Sequence, residues 1–373
     1  MSPRQIRVGL IDTAQRDQPG SMRAYADTLQ QALQRHAPEI DAELLPLANS
    51  AASGRWTRRV ESMAMLARAW GLRSRVPDLW HVLDGSRAYV AVGLSERPVV
   101  ITAHDVIPVL QSRGCFAGAP SVGWAARQLW RANARSTRGA AAVVCDSVAT
   151  RSDVGATMHV ANQQVRVVPL PLRPALADQL ADGARGQLAG QVLHVGNNGF
   201  YKNRQQVLRI FAAMNPQLAR ELVMLGPPPS GDLMRLADQL KLGERLRWVK
   251  DPGDGEVAQW YRSASVLLFP SLYEGFGWPV LEAMAFGLPV LAANSGSLPE
   301  VVGGVSECFD PEDTASFVAA AERLLASPAA WNQASVAGFE RASGFSERTF
   351  ASRMRDVYLD VAALGKGHRM VDV

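Results

Sequence analysis

Residues 265–290 read SVLLFPSLYEGFGWPVLEAMAFGLPV. SVLLFP is continuously apolar, as a strand covered on both faces should be. PVLEAMAF reads as a short helix: Pro279 suits the first helical position, where its missing N–H is no loss, and Gly287 stops it. Between strand and helix, Gly275 and Gly277 suit positive φ and let a ligand approach the backbone. Strand, glycine-rich corner and helix in that order form the repeating unit of a doubly wound parallel sheet.

The same alternation runs through the chain. IRVGLID (6–12), DLWHVL (78–83), PVVITAHD (98–105) and AAVVCDS (141–147) are short apolar runs, separated by amphipathic stretches such as SMRAYADTLQQALQRH (21–36). A second series comprises QVLHVG (191–196), ELVMLG (221–226), RLRWV (245–249), SVLLFP (265–270) and LPVLAA (288–293). Between the series, VRVVPLPLRP (165–174) ends in prolines and small polar residues follow, so 174–189 reads as a linker. Two α/β domains are expected, 1–175 and 176–355, with a cleft between the carboxyl ends of their strands.

Length and composition agree with that expectation. A chain of 373 residues suits two domains, and 47% hydrophobic with 20% charged residues is an ordinary globular balance. The three cysteines, Cys115, Cys145 and Cys308, show no metal-ligand spacing and suit a reducing cytoplasm. MSPRQIRVGLIDT enters a strand-like run directly, so no secretory signal is expected, and no apolar run reaches the length of a membrane span. Charge is uneven: residues 1–173 carry 21 Arg, no Lys and 13 acids, whereas 174–373 carry 14 Arg, 4 Lys and 22 acids. The first half is expected to face something anionic.

The corner after SVLLFP carries chemistry. Its backbone N–H groups and the helix N-terminus converge as an anion site. Glu282 lies one turn into the helix, on the wall of the same cavity, and Glu274 stands at its mouth. Amides for phosphate, one carboxylate for sugar hydroxyls and one for ribose would suit a sugar diphosphate. A tight corner with two surface glutamates is the alternative on these residues alone.

PSLYEGFGWPVLEAMAFGLPV (270–290) resembles the Glu-x7-Glu signature of retaining glycosyltransferases of family 4, which have the two-domain GT-B fold. The family's pattern, Pro-Ser-x-x-Glu-Gly-Phe-Gly-x-Pro-x-x-Glu-Ala-Met-Ala-x-Gly-x-Pro-Val, is met here at every specified position. The resemblance implies two Rossmann-like domains facing across a cleft, with donor contacts from Gly275, Phe276, Gly277, Trp278, Pro279 and Glu282, and with Glu274 orienting the sugar. In HVGNNGFYKN (194–203), it implies that Lys202 reaches the donor pyrophosphate, with Gly196 and Asn197 beside it; a solvated lysine is the alternative. Relatives carry an arginine near this lysine where the chain has Asn197 and Tyr201, so Arg204 becomes the candidate second cation. In ITAHDVIPVL (101–110), the resemblance implies that His104 faces the donor sugar and Asp105 the acceptor; a structural histidine is the alternative.

Weaker likenesses cover the rest. QRDQPGSMRAY (15–25) has Pro19-Gly20 where relatives have two glycines, leaving Gly20 and Ser21, a plausible N-cap, as acceptor-side contacts. DSVATRSDV (146–154) resembles a segment near the acceptor side. In RWVKDPGDGEVAQWYRSASVLL (247–268) the Val249–Lys250 backbone would read the nucleobase. The tail GFSERTFASRMRDVYLDVAAL (344–364) resembles terminal helices that cross back to the first domain, giving a returning helix over 356–373.

The implied activity is transfer of a hexose from a nucleotide-diphosphate sugar, GDP-mannose before a UDP-sugar, to a glycan or lipid-linked acceptor, with retention. No Asp-x-Asp occurs, so the cation facing the leaving diphosphate is Lys202 and the reaction is expected to need neither metal nor cofactor. A nucleotide-sugar 2-epimerase of the same fold and a non-catalytic sugar or nucleic-acid binding module are the alternatives. The first turn, VGLIDTAQRDQPGS, lacks Gly-x-Gly-x-x-Gly and excludes a nicotinamide enzyme of the usual kind. RWTRRVESMAMLARAWGLRSR (55–75) interleaves six arginines with Trp56, Met63, Leu66 and Trp70, and Arg127, Arg131 and Arg135 share one face of 122–138. Both suit an anionic membrane surface at the inner face of the cytoplasmic membrane, or else solvated arginines on core-packed helices. No nucleic-acid partner is expected.

Overall fold

The computed structural model describes residues 5–14, 20–48, 55–180 and 188–367, without the side chains of 55–59 and 365–367. Pro19, part of the linker reading (181–187), the side chains of Arg55, Trp56, Arg58 and Arg59, and the end of the returning helix (368–373) lie outside the described residues.

Two compact units emerge, Met1–Pro171 with Glu347–Val373, and Leu172–Ser346. The first holds six parallel strands: β1 (Ile6–Asp12), β2 (Ile40–Pro46), β3 (Leu79–Val82), β4 (Val99–Ala103), β5 (Ala142–Cys145) and β6 (Val165–Val167). Their order is β2-β1-β3-β4-β5-β6, so the direction of winding reverses between β1 and β3. β2 has no continuous apolar run because it is an edge strand, paired only with β1 and half exposed along IDAELLP.

Helix Ser21–His36 spans the amphipathic stretch read from the sequence and buries Tyr25, Leu29 and Leu33. Its N-cap is Gly20, in extended backbone at φ −172°, and Ser21 is already helical. The capping role expected of Ser21 is therefore not realised, and no side chain caps this end. The last helix, Glu347–Gly367, belongs to this unit. Its buried Tyr358 hydroxyl meets His81 Nδ1 at 2.7 Å, and Phe350 packs edge-on to Tyr25.

The second unit has β7 (Gln191–Val195), β8 (Glu221–Gly226), β9 (Leu246–Lys250), β10 (Val266–Phe269), β11 (Val290–Ala293) and β12 (Cys308–Phe309), again all parallel. Their order is β12-β11-β10-β7-β8-β9, with the reversal between β7 and β10. Alternate strand residues, among them Val192, Leu222, Met224, Val266, Leu268 and Leu291, pack with Phe211 and Phe317 from flanking helices into one buried core on one face of the sheet.

The boundaries differ from the sequence reading. The chain passes from one unit to the other at Pro171/Leu172 and back at Ser346/Glu347, rather than at 175 and 356. Residues 174–177 are a helical turn, not linker, because Leu176 is fully buried and Arg173 is held by two carboxylates of the second unit.

Candidate functional site

In a doubly wound sheet, ligands bind outside the carboxyl ends of the strands where the winding reverses. In the second unit those strands are β7 and β10, and the loops that leave them carry Lys202 and Glu274. Lys202 Nζ donates to both Glu274 oxygens, at 2.7 and 2.9 Å. The ammonium also lies 5.1 Å from the Phe269 ring and 5.5 Å from that of Tyr201. The loops are stapled by Leu272 N–H donating to Tyr201 O at 2.7 Å and by Asn203 Nδ2 donating to Pro270 O at 3.0 Å.

Glu274 is 7% exposed, so it is a buried carboxylate under Lys202 and not a group standing at an open mouth. A third loop supports it from behind. Ser297 N–H and Oγ each donate to Glu274 O at 3.1 Å. Gly296 makes the approach feasible: it sits at φ 52°, and a Cβ there would collide with the Glu274 carbonyl. Gly296 and Ser297 escape sequence reasoning, although their place after LPVLAA at a strand's carboxyl end is a usable signal.

The corner itself needs only one glycine with positive φ. Gly277 caps helix Trp278–Ala285 at φ 95°, whereas Gly275 is not in the left-handed region. Pro279 occupies the first turn and Gly287, at φ 68°, ends the helix. Phe276 is buried edge-on to Phe345 at 5.8 Å, and Trp278 is buried as the first helical residue.

Glu282, 2% exposed, is clamped on both oxygens. Arg173 Nε donates to one at 2.5 Å and the Tyr261 hydroxyl to the other at 2.9 Å. The same guanidinium reaches Asp254 at 2.7 Å, just past β9. Burial opposes the Arg173 charge, but Glu282 and Asp254 outweigh it and raise its pKa; burial and then Glu282 keep Tyr261 protonated. Neither Arg173 nor Tyr261 carries a local motif that marks this role.

The other donor-side candidates lie at the carboxyl ends of β7 and β9 and in the loop and helix that follow β7. Gly196 N–H donates to Leu225 O at 3.0 Å, and a Cβ on Gly196 would stand 2.9 Å from His194 Nε2. Asn197 is exposed, accepting from Gly199 N–H at 2.8 Å and donating to the Tyr201 hydroxyl at 3.2 Å. Val249 and Lys250 end β9, with Lys250 in register with Gly226. Arg204 is buried, donates to Asn198 Oδ1 and Pro227 O, and lies 5.4 Å from the Trp248 ring. Burial lowers its pKa to about 10, and among the described residues its Nε and Nη2 have no hydrogen-bond partner. These contacts, to Asn198, Pro227 and Trp248, hold it away from Glu274.

In the first unit His104 leaves β4 and Asp146 leaves β5. His104 Nδ1 meets Asp146 Oδ2 at 2.6 Å and Nε2 meets Leu83 O at 2.8 Å, with Tyr25 edge-on at 4.5 Å. Burial disfavours the imidazolium, but Asp146, by charge and hydrogen bond, more than compensates and raises the pKa to about 9. His104 is thus a cation donating from both nitrogens, to Asp146 and to Leu83 O. Asp105 Oδ1 accepts from Ile107 N–H at 2.9 Å, capping the next turn. Beside them, His81 joins Thr102 Oγ1 at 2.7 Å, and burial lowers its pKa to about 3.

Residues 187–341, which contain both glutamates and Lys202, match the family described as Glycosyl transferases group 1. That match covers most of the second unit. Among curated proteins, the chain is 31% identical to the MMP alpha-(1->4)-mannosyltransferase of Mycolicibacterium hassiacum over 57% of this chain and 52% of that protein. It is 30% identical to O-antigen chain mannosyltransferase B of Escherichia coli over 45% of each. The chain therefore spans about half the length of the curated relatives it matches. In fold, it resembles sucrose-phosphate synthase from Thermosynechococcus elongatus at TM-score 0.73, 19% identity, 96% of this chain and 100% of that one. It also resembles Anabaena HepE, solved with UDP-glucose, at TM-score 0.71, 15% identity, 95% and 100%. Together with the two parallel six-stranded sheets, these likenesses identify a two-domain α/β GT-B fold.

Proposed function

We propose that the protein is a hexosyltransferase that moves a sugar from a nucleotide-diphosphate donor to a glycan or lipid-linked acceptor, with retention at the anomeric carbon and without a metal. The observation that carries this reading is the buried Lys202–Glu274 pair at the winding reversal of β7 and β10. An ammonium held there is positioned to take up negative charge as the anomeric C–O bond to the diphosphate breaks. Glu274 holds the lysine in place and sets a carboxylate beside the positive charge that develops on the sugar. The acceptor oxygen bonds to the anomeric carbon on the face the diphosphate leaves, and its proton passes to the departing phosphate. Glu282, held by Arg173 and Tyr261, retains lone pairs for ribose hydroxyls. Metal independence rests on Lys202 as the cation and on a sequence without Asp-x-Asp. The mannosyltransferases among the relatives favour a mannosyl donor, with GDP-mannose the first to try; the UDP-glucose complex of a structural neighbour makes a UDP-sugar the next.

The test is a donor screen with labelled GDP- and UDP-sugars, with and without EDTA, with the product anomer read by NMR. Glu274→Gln and Lys202→Met should each lower transfer about 10²–10³-fold, the range for loss of a preorganised charged contact. Unchanged rates in both variants would overturn the site; EDTA-sensitive turnover or an inverted anomer would overturn the mechanism.

A further inference from the structure

Helix Arg55–Gly71 of the first unit departs from the usual pattern of a surface helix, because it is apolar on its outward side as well as its buried one. From Val60 onward, its exposed positions up to Trp70 are Val60, Met63, Ala67 and Trp70, with Met63 75% and Trp70 58% exposed. The spacing i, i+3, i+7, i+10 makes them one stripe. The buried stripe is Met65 and Ala69. Ala69 lies against Gly93, where a Cβ would stand 2.9 Å from the Ala69 Cβ.

The apolar stripe continues onto the 3₁₀ segment Gly85–Gly93. The Arg73 guanidinium lies 5.0 Å from the Trp70 ring and donates to Gly93 O at 3.2 Å and Val92 O at 3.5 Å, and Val92 is itself exposed. Helix Trp124–Arg138 packs on the same segment. Its buried Asn133 takes Tyr89 N–H at 3.0 Å and donates to Ser86 O at 2.6 Å, while the Tyr89 hydroxyl donates to Ser62 O of the first helix at 3.4 Å. Tyr89 thus ties both helices to one support. The second helix turns outward Trp124, 76% exposed, and then Arg127, Arg131, Arg135 and Arg138, and it contains no acidic residue.

We propose that this face of the first unit docks on an anionic phospholipid bilayer. An apolar stripe containing Trp70 inserts at the acyl boundary, and a neighbouring arginine row that begins with Trp124 binds phosphate headgroups. A second copy of the chain is a poorer occupant, because an isologous contact would set arginine rows against each other. A nucleic acid would leave Val60, Met63 and Val92 without a use. The surface is where a lipid-linked acceptor would be met, so its biological role rests on the transfer reading; bilayer binding itself does not, and is measured without turnover.

Flotation of the full chain with phosphatidylglycerol/phosphatidylcholine vesicles, against phosphatidylcholine alone, tests the proposal. Wild type should float with the anionic vesicles only, and release as salt rises. Arg127→Gln/Arg131→Gln/Arg135→Gln should lower the partition coefficient about a hundredfold, from about fivefold per arginine near an anionic surface. Met63→Glu/Trp70→Glu should lower it at least about tenfold, because two buried apolar side chains are lost. Both sets are exposed, and an unchanged thermal melt would confirm the fold. The proposal is overturned by no flotation at low salt, by equal binding to neutral vesicles, or by an unaffected Met63→Glu/Trp70→Glu variant. Preferential capture by RNA over vesicles, or a solution dimer dispersed by Met63→Glu, would overturn it too.

Discussion

Each unit carries a buried ion pair between two strand-end loops, and the pairs differ in where they stand relative to the winding reversal. Lys202 and Glu274 follow β7 and β10, the two strands at the reversal in their sheet. His104 and Asp146 follow β4 and β5, which lie beyond the reversal at β1 and β3. At a reversal the two chains leave for opposite faces of the sheet, the loops splay, and a ligand can enter between them. Past it, successive loops pack side by side. Accordingly His104 spends its second nitrogen on the Leu83 carbonyl, and its pair holds loops together. The second unit divides the two tasks: Lys202–Glu274 stands at the reversal, and Arg173–Glu282 does the holding.

The strongest way to break that comparison is Arg173→Met. It leaves Glu282 buried beside Tyr261 without its cation, and should cost about 3–5 kcal/mol in denaturant unfolding of the second unit, as loss of one partner of a buried pair does. A loss under about 1 kcal/mol would show that Glu282 is not held this way.

Asp146→Asn probes the holding pair of the first unit through pH. His104 has its pKa raised to about 9, so its stabilisation is complete below about 6.5 and is lost as pH rises through about 9. The variant should therefore lie about 3 kcal/mol below wild type at pH 6 and converge with it above pH 10. A gap that stays constant from pH 6 to 10 would mean that His104 is neutral in the native state.

A smaller effect is expected for Gly296→Ala. A left-handed alanine costs about 1–2 kcal/mol, and its Cβ would push on the Glu274 carbonyl. The melting temperature should drop by several degrees, and transfer should fall with it as Glu274 is displaced. Full activity with a lowered melt would place the support behind Glu274 outside the function.

Much of the scaffold was legible in short windows. The apolar runs located nine strands within a residue or two, and 21–36 is one helix from end to end. The corner at 270–290 carried the family likeness by itself, since Gly277, Pro279 and Gly287 act through local backbone geometry. Gly275 was over-read, because nothing local distinguishes a glycine needed for φ from one needed for another reason. Edge strand β2 was invisible: the exposed Asp41 and Glu43 interrupt its apolar residues, so no apolar run marks it.

The sequence by itself determined the strands, the glycine corner and the residue types offered at the strand ends, because these depend on periodicity and propensity over a few neighbouring positions. Strand order was decided only in the tertiary structure, and with it the meeting of Lys202 with Glu274, 72 residues apart, and of Arg173 with Glu282, 109 apart. So was the outward turn of Met63 and Trp70, since an apolar stripe in a sequence does not say which side of its helix the core will occupy. Such pairings depend on which face each connecting helix crosses, and that is settled by packing the whole sheet at once.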